Sequence, residues 1–196
     1  MRKFLFSFLA ALISVAAISQ FNSDPALSKR LDEYMKLTRE LKFEKIMEYT
    51  HPKMFTIASK EQLIEVLKQG FDNEGMSIAI DSAVVAGISE GFILENVTYK
   101  KVDYSVKMAV RFKDTASLKE ENFISAMKIA FTNAFPGGTV EFAEADKVFR
   151  IKASNLMIAI KDNEATPWMF LGYEKKNAEL AKLLYSKEVI EHFKLL

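Results

Sequence analysis

Few side chains in this chain are equipped for chemistry. Its 196 residues hold two histidines and no cysteine. That excludes a Cys nucleophile, a Cys-type structural zinc site and any disulfide. His51 stands in LKFEKIMEYTHPKMF (41–55), where an amphipathic segment runs into Thr50-His51-Pro52. An imidazole there could hydrogen-bond a ligand or act as a base. It could equally donate to backbone carbonyls freed at a helix end. The structural reading is preferred, because the sequence defines neither a carboxylate partner nor a companion ligand. His192, beside Glu191, reads as a surface residue. The two histidines are far apart, and no H-x-x-x-H pair or clustered Asp/Asn loop accompanies them, so no metal and no cofactor is expected. Trp168 is the only tryptophan. It reads as a core or pocket wall whose N–H needs a partner. Gly137-Gly138 in FPGGTVEF forms a connection after a helix. A phosphate loop would need a strand before it and a basic residue after it.

The elements that must position these groups follow a readable order. Residues 1–19, MRKFLFSFLAALISVAAIS, have Arg2 and Lys3, an apolar run from Phe4 to Ile18, and small residues at Ala17 and Ser19. This is the layout of a secretory signal peptide cut before Gln20. The run is shorter than the ~20 residues of a spanning helix. An exported protein, periplasmic or secreted, is expected, with no stable membrane insertion after cleavage and one domain over residues 20–196. Removing the two basic residues of the leader leaves 25 basic against 26 acidic side chains, a net charge of −1. No basic excess exists to hold nucleic acid. Asn96-Val97-Thr98 is formally a glycosylation sequon, but behind a bacterial-looking leader it reads as chance. Without disulfides the fold must rest on packing, and the full chain carries sixteen Phe and nine Met, of which only Phe4, Phe6, Phe8 and Met1 fall in the leader.

Asp24-Pro25 signals a helix start, and Leu27, Leu31, Tyr34 and Met35 recur at helical spacing. A break is expected near 40–42, and a second piece carrying Phe43, Ile46 and Met47 ends at His51, because the residue before proline is pushed out of the α region. Ser59-Lys60-Glu61-Gln62 is a capping box opening a helix with Leu63, Ile64, Leu67 and Phe71 on one face. From Met76 the period becomes two, with Met76, Ile78, Ile80, Val84, Ala86 and Ile88 sharing a parity. After a turn at Glu95-Asn96, the even residues from Val102 to Phe112 take one face, and Asp103, Ser105, Lys107 and Arg111 take the other. Ser117-Leu118-Lys119-Glu120 reads as a second capping box, before a helix with Ile124, Met127, Phe131 and Phe135. Three strand-like runs and two short helices, 179–185 and 187–193, complete an α+β order with antiparallel strands.

That order resembles the nuclear transport factor 2-like superfamily, also called cystatin-like or SnoaL-like. The stretches that carry the likeness are LKFEKIMEYTHPKMF, SKEQLIEVLKQGF, VDYSVKMAVRF and IAIKDNEATPWMFLGY, within residues 25–196. The resemblance implies a strongly curved antiparallel sheet forming a cone, with N-terminal helices packed across its concave face. It also implies a pocket, which isomerase and dehydratase members line with acids, tyrosines or histidines. In this chain only Tyr104 among polar residues shares the apolar parity of its strand, which argues against proton-transfer chemistry. The expected function is therefore a non-enzymatic domain binding a small apolar molecule or a protein partner, with a homodimer through the sheet as one assembly. The alternative is a small isomerase-, dehydratase- or hydrolase-type enzyme with Tyr104 as donor and His51 as base. The candidate ligand-binding residues are Tyr34, His51, Tyr104 and Trp168. No catalytic residue is assigned.

Overall fold

The computed structural model describes residues 24–173 and 177–196. The signal-peptide expectation for 1–19 and the start of the domain at 20 lie outside the described residues.

Asp24 opens α1 (Pro25–Arg39). Its carboxylate accepts the Leu27 backbone N–H at 3.0 Å, and Pro25 occupies the first helical position, where its missing N–H costs nothing. Leu27, Leu31 and Met35 fall on one face and are buried. Leu41, at φ 52°, breaks the run, and α2 (Phe43–Ile46) begins on a new phase. The sequence reading carries this second piece to His51, but α2 stops at Ile46. The following backbone is taken by the sheet instead. Tyr49 O accepts Phe170 N at 2.7 Å, and His51 N donates to Phe170 O at 2.9 Å. His51 then precedes a 3₁₀ turn, Pro52–Thr56, with the extended backbone that proline imposes. Helix α3 (Lys60–Phe71) starts at the expected capping box, with Ser59 and Gln62 bonded reciprocally at 2.9 and 3.2 Å. It turns Leu63, Ile64, Leu67 and Phe71 onto Phe43, Ile46 and Met47.

The fold is α+β with one six-stranded antiparallel sheet. The strands are β1 (Met76–Ile88), β2 (Phe92–Leu94), β3 (Val97–Phe112), β4 (Thr139–Ala143), β5 (Val148–Lys161) and β6 (Met169–Tyr173). β3 carries β1 and β2 along one edge and β5 along the other, and β5 carries β4 and β6 on its far edge. Glu95 and Asn96, both at positive φ, close the two-residue β2–β3 hairpin. On β3 the expected alternation holds. Val102, Val106, Met108 and Val110 are buried, Lys107 and Arg111 exposed, Asp103 to Ser105 half-buried, and Ala109 is buried against the pattern.

On β1 the expected parity fails. Its register against β3 slips between Ile80 and Ser82 and again between Val85 and Gly87. Each bulge adds a residue, so the inward face passes from Met76, Ile78 and Ile80 to Ala83 and Val85, then to Ile88. Val84, expected inside, is 55% exposed. The second capping box is also corrected. Ala116 already has helical dihedrals and Ser117–Lys119 form a 3₁₀ turn, so Ser117 lacks the extended backbone of a cap. Helix α4 (Glu121–Ala134) starts from Glu120 without a side-chain cap. It ends before Gly137, at φ 78°, and Gly138, where a Cβ would lie 2.5 Å from the Lys152 carbonyl oxygen.

Two cores result. The first joins α1 and α4 to the even residues of β3 and the odd residues of β5. The second joins α5 (Ala178–Leu184) and α6 (Lys187–Phe193) to Ile158, Ile160, Leu171 and the partly buried Val97 and Tyr99. Strand alternation puts these two sets on opposite faces of the sheet. Among the described residues no helix is long and apolar enough to cross a membrane.

Candidate functional site

His51 is held at both ring nitrogens. Nδ1 accepts the Lys53 backbone N–H at 3.2 Å, which caps the 3₁₀ turn. Nε2 lies 3.2 Å from Asp162 Oδ1, 111 residues further along, just past the end of β5. A backbone N–H can only donate, so Nδ1 presents its lone pair. In the neutral ring the proton therefore sits on Nε2 and is donated to Asp162. Both parts of the sequence reading of this residue change. His51 caps the start of a turn as an acceptor rather than serving carbonyls at a helix end, and it does have a carboxylate partner. A small pocket of about 170 Å³ adjoins it, lined also by Tyr99, Ile160, Tyr185 and Ser186. Burial, with the nearby Asp162 and Glu95 charges, pushes the Tyr99 phenol up. A base at His51 would need a free nitrogen lone pair, and here one nitrogen accepts and the other donates.

Tyr34 and Tyr104 belong to the first core. Tyr34 tilts against Phe170, centroids 5.0 Å apart, and against Tyr49 at 6.2 Å. Burial raises both phenols above their ordinary value, and proximity to Tyr104 raises Tyr34 further. Both stay neutral at physiological pH. Tyr104 shares the inward, even parity of β3, whereas the His51 pocket is walled by Tyr99, of odd parity. The two residues of the enzymatic alternative thus face opposite sides of the sheet.

Trp168 is 3% exposed. Its Nε1–H donates to Asp24 Oδ2 at 2.8 Å, so the partner expected for it is the residue that caps α1. Arg30 Nε donates to Trp168 O at 3.0 Å, and the guanidinium lies 4.0 Å from the centre of the Tyr49 ring. Tyr49 in turn donates to Glu33 at 2.9 Å. The cluster pins the first turns of α1 to the start of β6. Desolvation works to raise the Asp24 carboxyl. The Leu27, Trp168 and Ala26 N–H donors outweigh it and hold the group below the ordinary carboxylate value.

Of the four candidates, then, Tyr34 and Tyr104 meet in the first core, the polar end of Trp168 is committed to Asp24, and His51 lines a separate pocket. A further opening is lined by residues that the sequence reading did not name as a site. It is a groove of about 580 Å³ between α1 and β1, walled by Leu31, Met35, Ala83, Val84, Val85 and Ile88. Ser28, Asp32 and Arg39 edge it. The α1 half was legible, since these residues share one helical face. The β1 half was hidden by the bulges, which turn Val84 to the outer face of the sheet and bring Ala83 and Val85 round to face α1. A second groove, about 490 Å³ between α4 and β4, mixes Lys119, Lys128 and Lys147 with Glu121 and Glu144 and has no dominant sign. Among the described residues no three His, Asp or Glu side chains cluster as a metal site would require. No family model, curated protein or solved structure matches this chain.

Proposed function

We propose that this chain is an exported, non-enzymatic binding module, and that it takes a small apolar molecule in the groove between α1 and β1. The reading includes the cone form of the nuclear transport factor 2-like superfamily, with α1 lying across a curved sheet. The order of helices and antiparallel strands supports that form, and the leader-like residues 1–19 support export. The observation that carries the function is the groove wall. The half-buried Val85 and Ile88 face Leu31 and Met35 across an apolar surface that the chain's own helices leave open. The occupied nitrogens of His51, and the opposite parities of Tyr99 and Tyr104, favour binding over proton transfer.

The test uses N-phenyl-1-naphthylamine, a neutral apolar fluorophore, with Ile88→Glu as the control. Ile88 is half-buried, lines the groove and shares the inward face of β1, so a carboxylate there enters the groove, and a thermal melt checks that the variant is folded. The purified protein should enhance the probe's fluorescence, and folded Ile88→Glu should weaken binding at least tenfold, about 1.4 kcal/mol. Equal binding by both proteins, or none by the unmodified one, would exclude the groove as the site.

A further inference from the structure

Resting on that reading, we infer a ligand class: a single-chain amphiphile with an anionic head, seated with the head at Arg39 and the tail toward Ile88. The α1 wall runs from Arg39 back to Ser28, about 16 Å at 1.5 Å per residue. Ala83 to Ile88 on β1 spans a similar length at about 3.3 Å per residue. Arg39 Nη1 donates to Ala83 O at 3.3 Å, which fixes the guanidinium at one end of the groove. This bond uses one of five N–H donors. Arg39 forms no ion pair among the described residues. Glu40, the nearest acid in sequence, is turned to Lys36 at 4.0 Å. The remaining donors are free to take a planar carboxylate in bidentate fashion while the exposed guanidinium keeps the head in contact with water. The other charge on the groove edge, Asp32, lies seven residues back, about 10 Å along the helix. It repels a second anion and sets the direction of the chain. Met35, Leu31 and Val85 supply apolar contact along the groove for a tail of dodecyl length.

Displacement of N-phenyl-1-naphthylamine by dodecanoate and by neutral dodecanol separates head from tail. The unmodified protein should prefer dodecanoate by about tenfold. Arg39→Gln should abolish that preference without changing dodecanol binding, and Arg39→Lys should retain most of it. Ile88→Glu should weaken both ligands. Failure of both ligands to displace a bound probe would remove the amphiphile assignment and leave the apolar groove standing. Equal affinity for the two ligands, or an undiminished preference in Arg39→Gln, would do the same. A probe that does not bind at all takes both readings down together.

Discussion

Replacing Asp24 by alanine breaks two hydrogen bonds with one substitution, and the two losses are separable. Oδ1 caps α1 through the Leu27 N–H, and Oδ2 accepts the buried Trp168 indole N–H. Loss of an N-cap costs about 1 kcal/mol. A buried donor left without a partner costs about 1–3 kcal/mol. Asp24→Ala should therefore destabilise the domain by about 2–4 kcal/mol, or several degrees in Tm at about 2–4 °C per kcal/mol. Asp24→Asn isolates the second term. Asparagine caps as well as aspartate, but its single carbonyl oxygen cannot serve both donors, so about 1–3 kcal/mol should remain lost. Urea unfolding followed by far-UV circular dichroism is the assay, because the tryptophan itself is varied. A double-mutant cycle with Trp168→Phe should show a coupling of about 1.5–3 kcal/mol, the range for a hydrogen bond to a charged group. The effect should also depend on pH. The folded carboxyl titrates below its unfolded value of about 3.9, so its stabilisation is complete above that value and is lost as pH falls through the folded one. The gap between wild type and Asp24→Ala should hold from pH 5 to 7 and narrow below about pH 4. An alanine variant within about 0.5 kcal/mol of wild type, or a coupling near zero, would refute the idea that this cluster anchors α1.

Two further predictions concern the strand and the opening turn. Val106→Asp should unfold or severely weaken the domain because it buries an unpaired charge. Lys107→Asp should change stability by less than about 0.5 kcal/mol, and in the favourable direction, since Lys152 lies directly opposite; comparable damage in thermal melts would mean the register is wrong. For the neutral ring of His51, ¹⁵N chemical shifts should show an unprotonated Nδ1 and a protonated Nε2. His51→Asn should melt within about 1 kcal/mol of wild type, because an asparagine oxygen can take over the Lys53 N–H; a proton on Nδ1 would overturn the capping geometry.

What could be read from the sequence is what depends on neighbours along the chain. Asp24-Pro25 and Ser59–Gln62 mark helix starts because the cap and its acceptors lie within three residues. The even face of β3 is visible because an uninterrupted strand repeats every two residues. The Glu95-Asn96 turn is visible because those residue types tolerate positive φ. The false second cap at Ser117 shows the limit of such signals. The motif was present, but the backbone before it was already helical.

Tertiary structure decided everything that depends on distant partners or on breaks in a period. The second helical piece ends at Ile46 because β6 claims the backbone of Tyr49 and His51, and no local pattern announces a strand more than a hundred residues away. His51 acquires Asp162, and Trp168 acquires Asp24, by the same long-range closure. The slips in β1 arise from its pairing with β3, and they turn Val84 from an expected core residue to the exposed face of the sheet while Ala83 and Val85 face α1. Periodicity could state that β1 has an apolar face. Only the register against its neighbour could state which residues occupy it, because each added residue inverts the direction of every side chain that follows.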